Sequence, residues 1–390
     1  MDNFCYLLIN NVDKFILVNT KMKILFITPR FHTNMTEWIK VLISKGHSVH
    51  INSLIQHEVE DHSLIKPVLF KLSPLSKLIL YLFGDGGENL KRGFPGVISY
   101  FYYLYLLKPK IVIVRDLSRS FSILAILISR IINIKIIVYS QSRIYEDKSV
   151  IKIVFFHLLS FFFNAAYMSP IIGTKKNEHK KIKNSYYVPF AVSKREFFEK
   201  SKKNFKILAI GKFVERKRHL ELIEVFKSLV EEHQNVYLTI IGEAYKEDHF
   251  KRVIIIHKLI KKLNLENKVK VYLNIPFEDM SHYYRKNNLF VLPSSDEPAS
   301  ISILEALSYG LPVICSETCG TSEYIDEGIN GLVFKDRDFL DLKKKLIKIV
   351  SKKNLCNQKN IYDNFKYQGD YFYSHFTSMI KDKFKISLND

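Results

Sequence analysis

Glu297 and Glu305, eight positions apart, flank a segment that is suited to holding an anion. The residues before them, 289–292, form a short apolar run with the character of a buried parallel strand. Pro293 stops that strand, and Ser294, Ser295 and Asp296 make a polar loop. Ser300 is an expected N-cap, with Ile301 opening a helix whose apolar face carries Ile303, Leu304, Ala306 and Leu307. Gly310 and Pro312 close the helix, and Val313–Cys315 begins another strand. A helix N-terminus at the carboxyl end of a parallel strand favours phosphate. A carboxylate can hold sugar hydroxyls through charge-assisted hydrogen bonds. Two carboxylates around such a helix end could therefore grip the sugars on either side of a diphosphate. Taken singly, each could equally be a solvated surface Glu.

A second basic segment lies upstream. The strand 205–210 exits through Gly211-Lys212-Phe213-Val214-Glu215-Arg216-Lys217-Arg218, followed by a helix over 220–230. Gly211 permits a tight turn and close approach of backbone. Lys212 and Lys217 can both be aimed at an anion in a cleft; a basic loop on a basic protein is the plainer alternative.

The elements that position these residues follow from periodicity. Strands are expected at 23–28, 49–54, 111–114, 134–139, 205–210, 236–241 and 269–273. Helices are expected at 36–45, 250–262, 280–286 and 340–350. Residues 55–100 show little pattern beyond a turn at 84–87. No G-x-G-x-x-G follows the first strand, so a dinucleotide cofactor is not expected. Its exit loop carries Arg30, His32 and Asn34; Arg30 could meet phosphate or acceptor, and His32 is a candidate proton carrier.

Glu297, Glu305, Ala306, Gly310, Pro312, Val313 and Ile314, followed by Gly320, Glu323, Gly328, Gly331 and Leu332, resemble the donor-binding motif of the GT-B glycosyltransferases. The large retaining group called family 4 is the particular match. Gly211, Lys212 and Lys217 resemble the same family's G-[RK]-x4-K pattern. The resemblance is strong over residues 205–335 and weaker over 22–192. There the usual Gly-Gly pair of the first loop is missing, and Gln141 or Arg143 stands where several members have a sugar-contacting His. Tyr187–Val192 resembles a domain-closing I-P-N-G-V segment, with Ala191 in place of its glycine. Gly242-Glu243 resembles a conserved turn lacking its second glycine.

The resemblance implies a GT-B fold: two Rossmann-like parallel-sheet α/β domains facing across a cleft. It implies an acceptor domain over 22–192, a linker at 193–204 and a nucleotide-sugar domain over 205–355. A C-terminal segment, 356–390, would pack back on the first domain. The implied reaction is retaining transfer of a sugar from a nucleotide diphosphate sugar to an acceptor hydroxyl. Lys212 and Lys217 would stabilise the departing nucleotide, Glu297 would hold the transferred sugar and Glu305 the ribose. Ser300 and Ile301 at the helix end, Gly211, Gly242, Arg30 and His32 would complete the substrate contacts, with Asn274 beside the base. Neither metal nor cofactor is implied. Alternatives on the same residues are a sugar-nucleotide epimerase and a non-catalytic polysaccharide- or nucleic-acid-binding protein.

Composition bounds these readings. Hydrophobic residues make up 47% and charged residues 25%, which fits a folded protein rather than a disordered one. The length suggests two domains. Net charge is +20, which suits anionic partners or reflects AT-rich codon usage. No compact Lys/Arg recognition motif accompanies it, so nucleic acid is not an expected partner. The expected partners are a nucleotide-sugar donor, a glycan or lipid-linked glycan acceptor, and an anionic membrane surface touched peripherally. Cys5, Cys315, Cys319 and Cys356 give no disulfide framework and fit a reducing, cytoplasmic setting. The segment 151–173 is apolar but interrupted by Lys152, His157, Asn164 and Pro170. It reads as one helix between sheet and surface, or as a monotopic membrane contact. Residues 1–21 read as an extension before a natural start at Met22.

Overall fold

The computed structural model describes residues 21–31, 33–56, 63–84, 90–145, 160–173, 183–199, 203–352 and 355–386. It holds two sheets, each all-parallel. The first sheet comprises β1 (Lys23–Ile27), β2 (Ser48–Ser53), β3 (Val68–Leu69), β4 (Ile111–Arg115), β5 (Lys135–Tyr139), β6 (Ala166–Ser169) and β7 (Ser185–Tyr187), in the order β3-β2-β1-β4-β5-β6-β7. The second comprises β8 (Phe205–Ile210), β9 (Val236–Gly242), β10 (Val269–Leu273), β11 (Leu289–Leu292), β12 (Val313–Ser316) and β13 (Gly331–Phe334), in the order β10-β9-β8-β11-β12-β13. In both, the strand order reverses beside the first strand of the domain. That reversal opens a crevice at the carboxyl ends of the strands. β4, β11 and β12 are buried along their whole length, as apolar strands covered on two faces must be.

Helices of the first domain are α1 (Thr36–Ser44), α2 (Pro74–Phe83), α3 (Val97–Leu107) and α4 (Ser120–Ile131). Those of the second are α5 (His219–Glu232), α6 (Glu247–Lys262), α7 (Met280–Lys286), α8 (Ile301–Ser308), α9 (Phe339–Ser351) and α10 (Gln358–Asp363). α10 stays with the second domain, where Gln358 Nε2 donates to the Asn288 carbonyl at 2.9 Å. The last helix, α11 (Gly369–Phe384), crosses back to the first domain. Its Phe372 stacks on Trp38 of α1 at 5.3 Å, and Tyr186 of β7 donates to Asp382 at 2.6 Å. One apolar cluster therefore runs from α1 and its side of the first sheet, through α11, into the second domain. A separate cluster lies on the other side of the first sheet, under α3 and α4.

Three sequence expectations change. Residues 55–100 contain β3, α2 and the start of α3. α3 escapes periodicity because it is apolar on its outer side too. The segment 151–173 is not one helix. Helix ends at residue 163, Asn164 turns the chain at φ 48°, and β6 follows as a fully buried strand. Residues 151–159 lie outside the described residues, as do 1–20 and most of the 84–87 turn. Finally, Ser300 precedes α8 in extended conformation but does not cap it through its side chain. Its hydroxyl bonds the Ser302 hydroxyl at 2.7 Å instead.

Among the described residues no helix is long and apolar enough to cross a membrane. Cys315, Cys319 and Cys356 are buried free thiols.

Candidate active site

One cavity of about 480 Å³ lies between the two sheets. Gly211, Lys212, Lys217, Gly242, Asn274, Glu297, Ser300, Ile301 and Glu305 line it from the second domain, and Arg30 lines it from the first. Every described residue singled out for substrate contact thus reaches the same space. His32 lies outside the described residues.

The strand ends explain this convergence. β8 delivers Gly211 and Lys212 at its carboxyl end, and a single 3-10 turn, Glu215–Lys217, then brings Lys217 back underneath. Gly211 does not adopt positive φ; what lies over it is the stem of Lys217. A methyl there would lie 2.9 Å from Lys217 Cδ and 3.0 Å from Cε, so the missing side chain makes room for the lysine stem. Gly242 at the end of β9 is tighter still, because a Cβ would stand 2.4 Å from the Gly211 carbonyl oxygen. Two strand exits are thereby held in backbone contact at the cavity floor.

Lys217 is buried and its Nζ lies 2.6 Å from Glu297 Oε2. Arg216 donates to the same carboxylate oxygen. Burial pushes the Glu297 carboxyl up, but Lys217 and Arg216 outweigh it, and the group ends below the ordinary carboxylate range. Below Lys217, burial drives the His219 imidazole down to about 3, helped by Lys217 and Arg252, so His219 is neutral and structural. Lys212 takes a different partner: Nζ lies 3.2 Å from Glu243 Oε2 and 3.1 Å from the Tyr245 hydroxyl.

Glu305 lies within α8. Tyr284 of α7 donates to its Oε2 at 2.7 Å, and the Tyr284 ring stacks on Tyr309 at 5.2 Å. Burial raises the Glu305 carboxyl above its ordinary value, with the Tyr284 hydroxyl and Arg195 opposing. Asn274 adopts φ 53° and spends its amide on the neighbouring loop. It accepts from Ala244 N at 2.8 Å and donates to Ala244 O at 2.9 Å. Its place at the wall is therefore set by a pair of hydrogen bonds, with Ile275, Phe277 and Met280 adding an apolar surface beside it.

The cavity also holds residues that the motifs did not single out as contacts. Arg216 is the second cation on Glu297. Arg115 and Gln141 stand at the ends of β4 and β5, bonded to each other at 2.8 Å, with the guanidinium 4.6 Å over the Tyr139 ring. The carboxyl-end rule for parallel sheets could have nominated Arg115; Gln141 was already marked by standing where several related proteins have a sugar-contacting His. Asn34 was legible only as part of the first strand's exit loop, and Tyr284 had no comparable signal. Arg143 turns to the second domain and donates to the Glu317 carbonyl at 3.2 Å.

Glu323 of the downstream motif is not a cavity residue. Its carboxylate receives the amides of Ile172 at 2.8 Å and Gly173 at 2.6 Å, both from the first domain. The adjacent Tyr324 hydroxyl donates to the Pro170 carbonyl at 2.6 Å. This pair bridges the two domains behind the cleft.

Among the described residues no group of three or more His, Cys, Asp or Glu could hold a metal ion. An Asp-x-Asp triplet stands at Asp336-Arg337-Asp338, outside the cavity lining. Asp336 accepts from the Ser316 and Thr318 hydroxyls at 3.0 Å, and Asp338 caps α9 through Asp341 N. Five cations and three carboxylates line the cavity, a balance suited to an anion carrying polar groups on both sides.

Comparison with known proteins places this geometry. Residues 192–364 match the family model described as glycosyl transferases group 1. The lipopolysaccharide core biosynthesis glycosyltransferase LpsE of Rhizobium meliloti is 28% identical over 149 residues, 38% of this chain and 40% of that protein. The chain spans about half the length of the curated relatives it matches. A glycosyltransferase structure from Rickettsia africae aligns with TM-score 0.72 and 16% identity over 95% of this chain and all of the other. Anabaena Alr3699/HepE, in complex with UDP and glucose, aligns with TM-score 0.69 and 13% identity over 92% and 99%. The fold is GT-B.

Proposed function

We propose that this protein is a retaining glycosyltransferase that moves a sugar from a nucleotide diphosphate sugar to an acceptor hydroxyl in the assembly of a bacterial surface polysaccharide. The observation that carries the reading is the set of charges gathered in one cavity. Glu305, Lys212, Lys217, Arg216 and Glu297 line it together, and Glu297 is paired with Lys217 and Arg216. That set suits ribose, diphosphate and transferred sugar. Glu305 would hold the ribose hydroxyls through Oε1, since Tyr284 occupies Oε2. Both cations on Glu297 use Oε2, which leaves Oε1 for hydroxyls of the transferred sugar.

Chemistry would rest on the leaving group. As the bond from anomeric carbon to phosphate oxygen stretches, negative charge grows on the diphosphate. Lys212, Lys217, Arg216 and the positive end of α8 would meet that charge without reorganising. Arg115, Arg30 and Gln141 face the reaction from the acceptor side. Among relatives, LpsE acts in lipopolysaccharide core biosynthesis and HepE was seen with UDP and glucose, which supports both the pathway class and the donor class.

The test is release of nucleoside diphosphate from UDP-, GDP- and ADP-sugars, with and without lipid-extracted acceptor, followed by NMR of the product anomeric proton. Acceptor-dependent release with one base and a retained α configuration supports the reading. An inverted product overturns retention. Conversion of the donor without acceptor means an epimerase.

A further inference from the structure

The side of the first domain farthest from α11 is apolar where a protein in water is normally polar. α3 and α4 pack their inner faces on the sheet through Tyr100, Leu104, Phe121 and Ala125. Their outer faces are apolar as well. Along α3 the outward stripe is Ile98, Tyr102 and Tyr105, at helical spacing, and Ile98 is 74% exposed. Along α4 it is Ile123, Leu127 and Ile131, with Ile131 72% exposed. Ser76 is the only buried residue of α2, which presents Leu75, Leu78, Leu82 and Phe83 to solvent along with Tyr81, 85% exposed. α2 is tied beside α3: Ser73 N donates to Phe94 O at 3.0 Å and Phe94 N donates to Ser76 Oγ at 3.0 Å. Phe162 joins the far end, where Arg130 of α4 donates to its carbonyl at 3.0 Å, and Phe161 beside it is 79% exposed.

Isolated exposed apolar residues need no explanation; three adjacent helices lined with them do. The charges around them are one-sided. Over residues 63–135 the sequence carries eleven Lys and Arg against Asp85, Glu88 and Asp116, and Lys77, Lys91, Lys108, Lys110 and Arg130 are exposed. Apolar faces on three helices, with Tyr81, Phe83, Tyr102 and Tyr105 among them and basic residues around them, match a lipid interface carrying negative headgroups. α2, at 10 residues, is about 15 Å long, roughly half the thickness of a bilayer's hydrocarbon core. Such a helix can lie in the interface but cannot span it.

We propose that α2, α3 and α4 form a docking face for an anionic bilayer, on which the protein lies without crossing. The position of the face gives it a purpose. α3 runs back toward the start of β4, so its first turn lies near the carboxyl edge of the sheet. There Tyr100 meets Phe121 at 5.1 Å, and Ser122 donates to the Arg115 carbonyl at 2.6 Å. Arg115 lines the cavity. A bilayer on this face therefore sits beside the acceptor side of the cleft, and the acceptor class that fits is a lipid-linked glycan. This last step rests on the proposed transferase reading; the docking itself does not.

The test is co-sedimentation with vesicles of phosphatidylethanolamine containing phosphatidylglycerol, and with pure phosphatidylcholine vesicles. The wild type is compared with Ile98→Ser/Tyr102→Ser/Tyr105→Ser on the apolar stripe and with Lys77→Glu/Lys91→Glu on the rim. The account expects wild-type binding to anionic vesicles that weakens with salt. Each variant should bind about tenfold more weakly while keeping its circular dichroism and thermal midpoint. Equal binding by wild type and variants, or no wild-type binding at low salt, overturns the proposal. So does a wild-type dimer that the Ser variant converts to monomer, since the face would then cover a second copy. A wild type that binds vesicles but no nucleoside diphosphate would leave docking intact and sink the transferase reading alone.

Discussion

Lys217 Nζ and Glu297 Oε2 lie 2.6 Å apart, and each side chain is 8% exposed. Two loops from different strands, 80 positions apart in sequence, are therefore pinned by a buried charge pair inside the cavity. Breaking such a pair from one side leaves a buried charge behind, which costs more than the pair contributes. Lys217→Ala should lower stability at pH 7 by about 2 kcal/mol, less than an isolated pair would lose because Arg216 still holds Glu297. The pH dependence has a definite sign. Glu297 sits below its ordinary value in the folded wild type, so its contribution is present above the unfolded carboxylate pKa and is lost as pH falls through the lower folded value. The gap between wild type and Lys217→Ala should therefore shrink between pH 7 and pH 3.5. Denaturant titrations at the two pH values measure it; an equal gap at both would contradict the ion-pair account.

Glu305 behaves in the opposite direction. Its folded value is raised by burial, so the folded state holds the proton more tightly than the unfolded chain does. Ionising it costs stability as pH rises through that raised value, and the cost is fully present above it. Gln can still accept from the Tyr284 hydroxyl without carrying the charge. Glu305→Gln should match the wild type in acid and exceed it in thermal midpoint at pH 7.5, a trade common where a site is kept for function. A variant less stable than wild type at pH 7.5 would show that Glu305 is structural.

Glu323 predicts a change of shape rather than of chemistry. Its carboxylate receives two first-domain amides, and each charge-assisted bond contributes about 1.5–3 kcal/mol. Glu323→Ala should loosen the domains without touching the cavity. Small-angle scattering should report a larger radius of gyration, and limited proteolysis should cut the connection between the domains faster. Scattering curves that superimpose would rule out the bridge as a determinant of domain spacing.

How much of this was legible in the sequence depends on the half. β10, β11 and α7 fall on the residues that periodicity assigns, because the second domain's strands are short apolar runs bounded by Gly, Pro and Asn. Gly211, Lys212, Lys217, Glu297, Ser300 and Glu305 meet in the cavity because each lies on the segment that follows the carboxyl end of a strand. What stayed hidden was set by tertiary partners. α3 lacks an amphipathic period because both its sides are apolar, and β6 looked like the end of a helix until Asn164 turned the chain. Gly211 reads as a turn residue, yet it takes no positive φ and its missing side chain leaves room for the Lys217 stem. Glu323 resembles part of a donor motif, while its partners lie 150 residues away in the other domain.

The central claim is that a nucleoside diphosphate lies between Glu305 and the Lys212–Lys217 loop. Thermal shift of wild type and Glu305→Gln against UDP, GDP and ADP, with EDTA present, tests it most directly. Ligand at about 100 times its dissociation constant should add about 2.7 kcal/mol of stability. The account predicts that one of the three raises the wild-type midpoint and that Glu305→Gln loses most of that rise. No shift with any of them, or an equal shift in the variant, would contradict it.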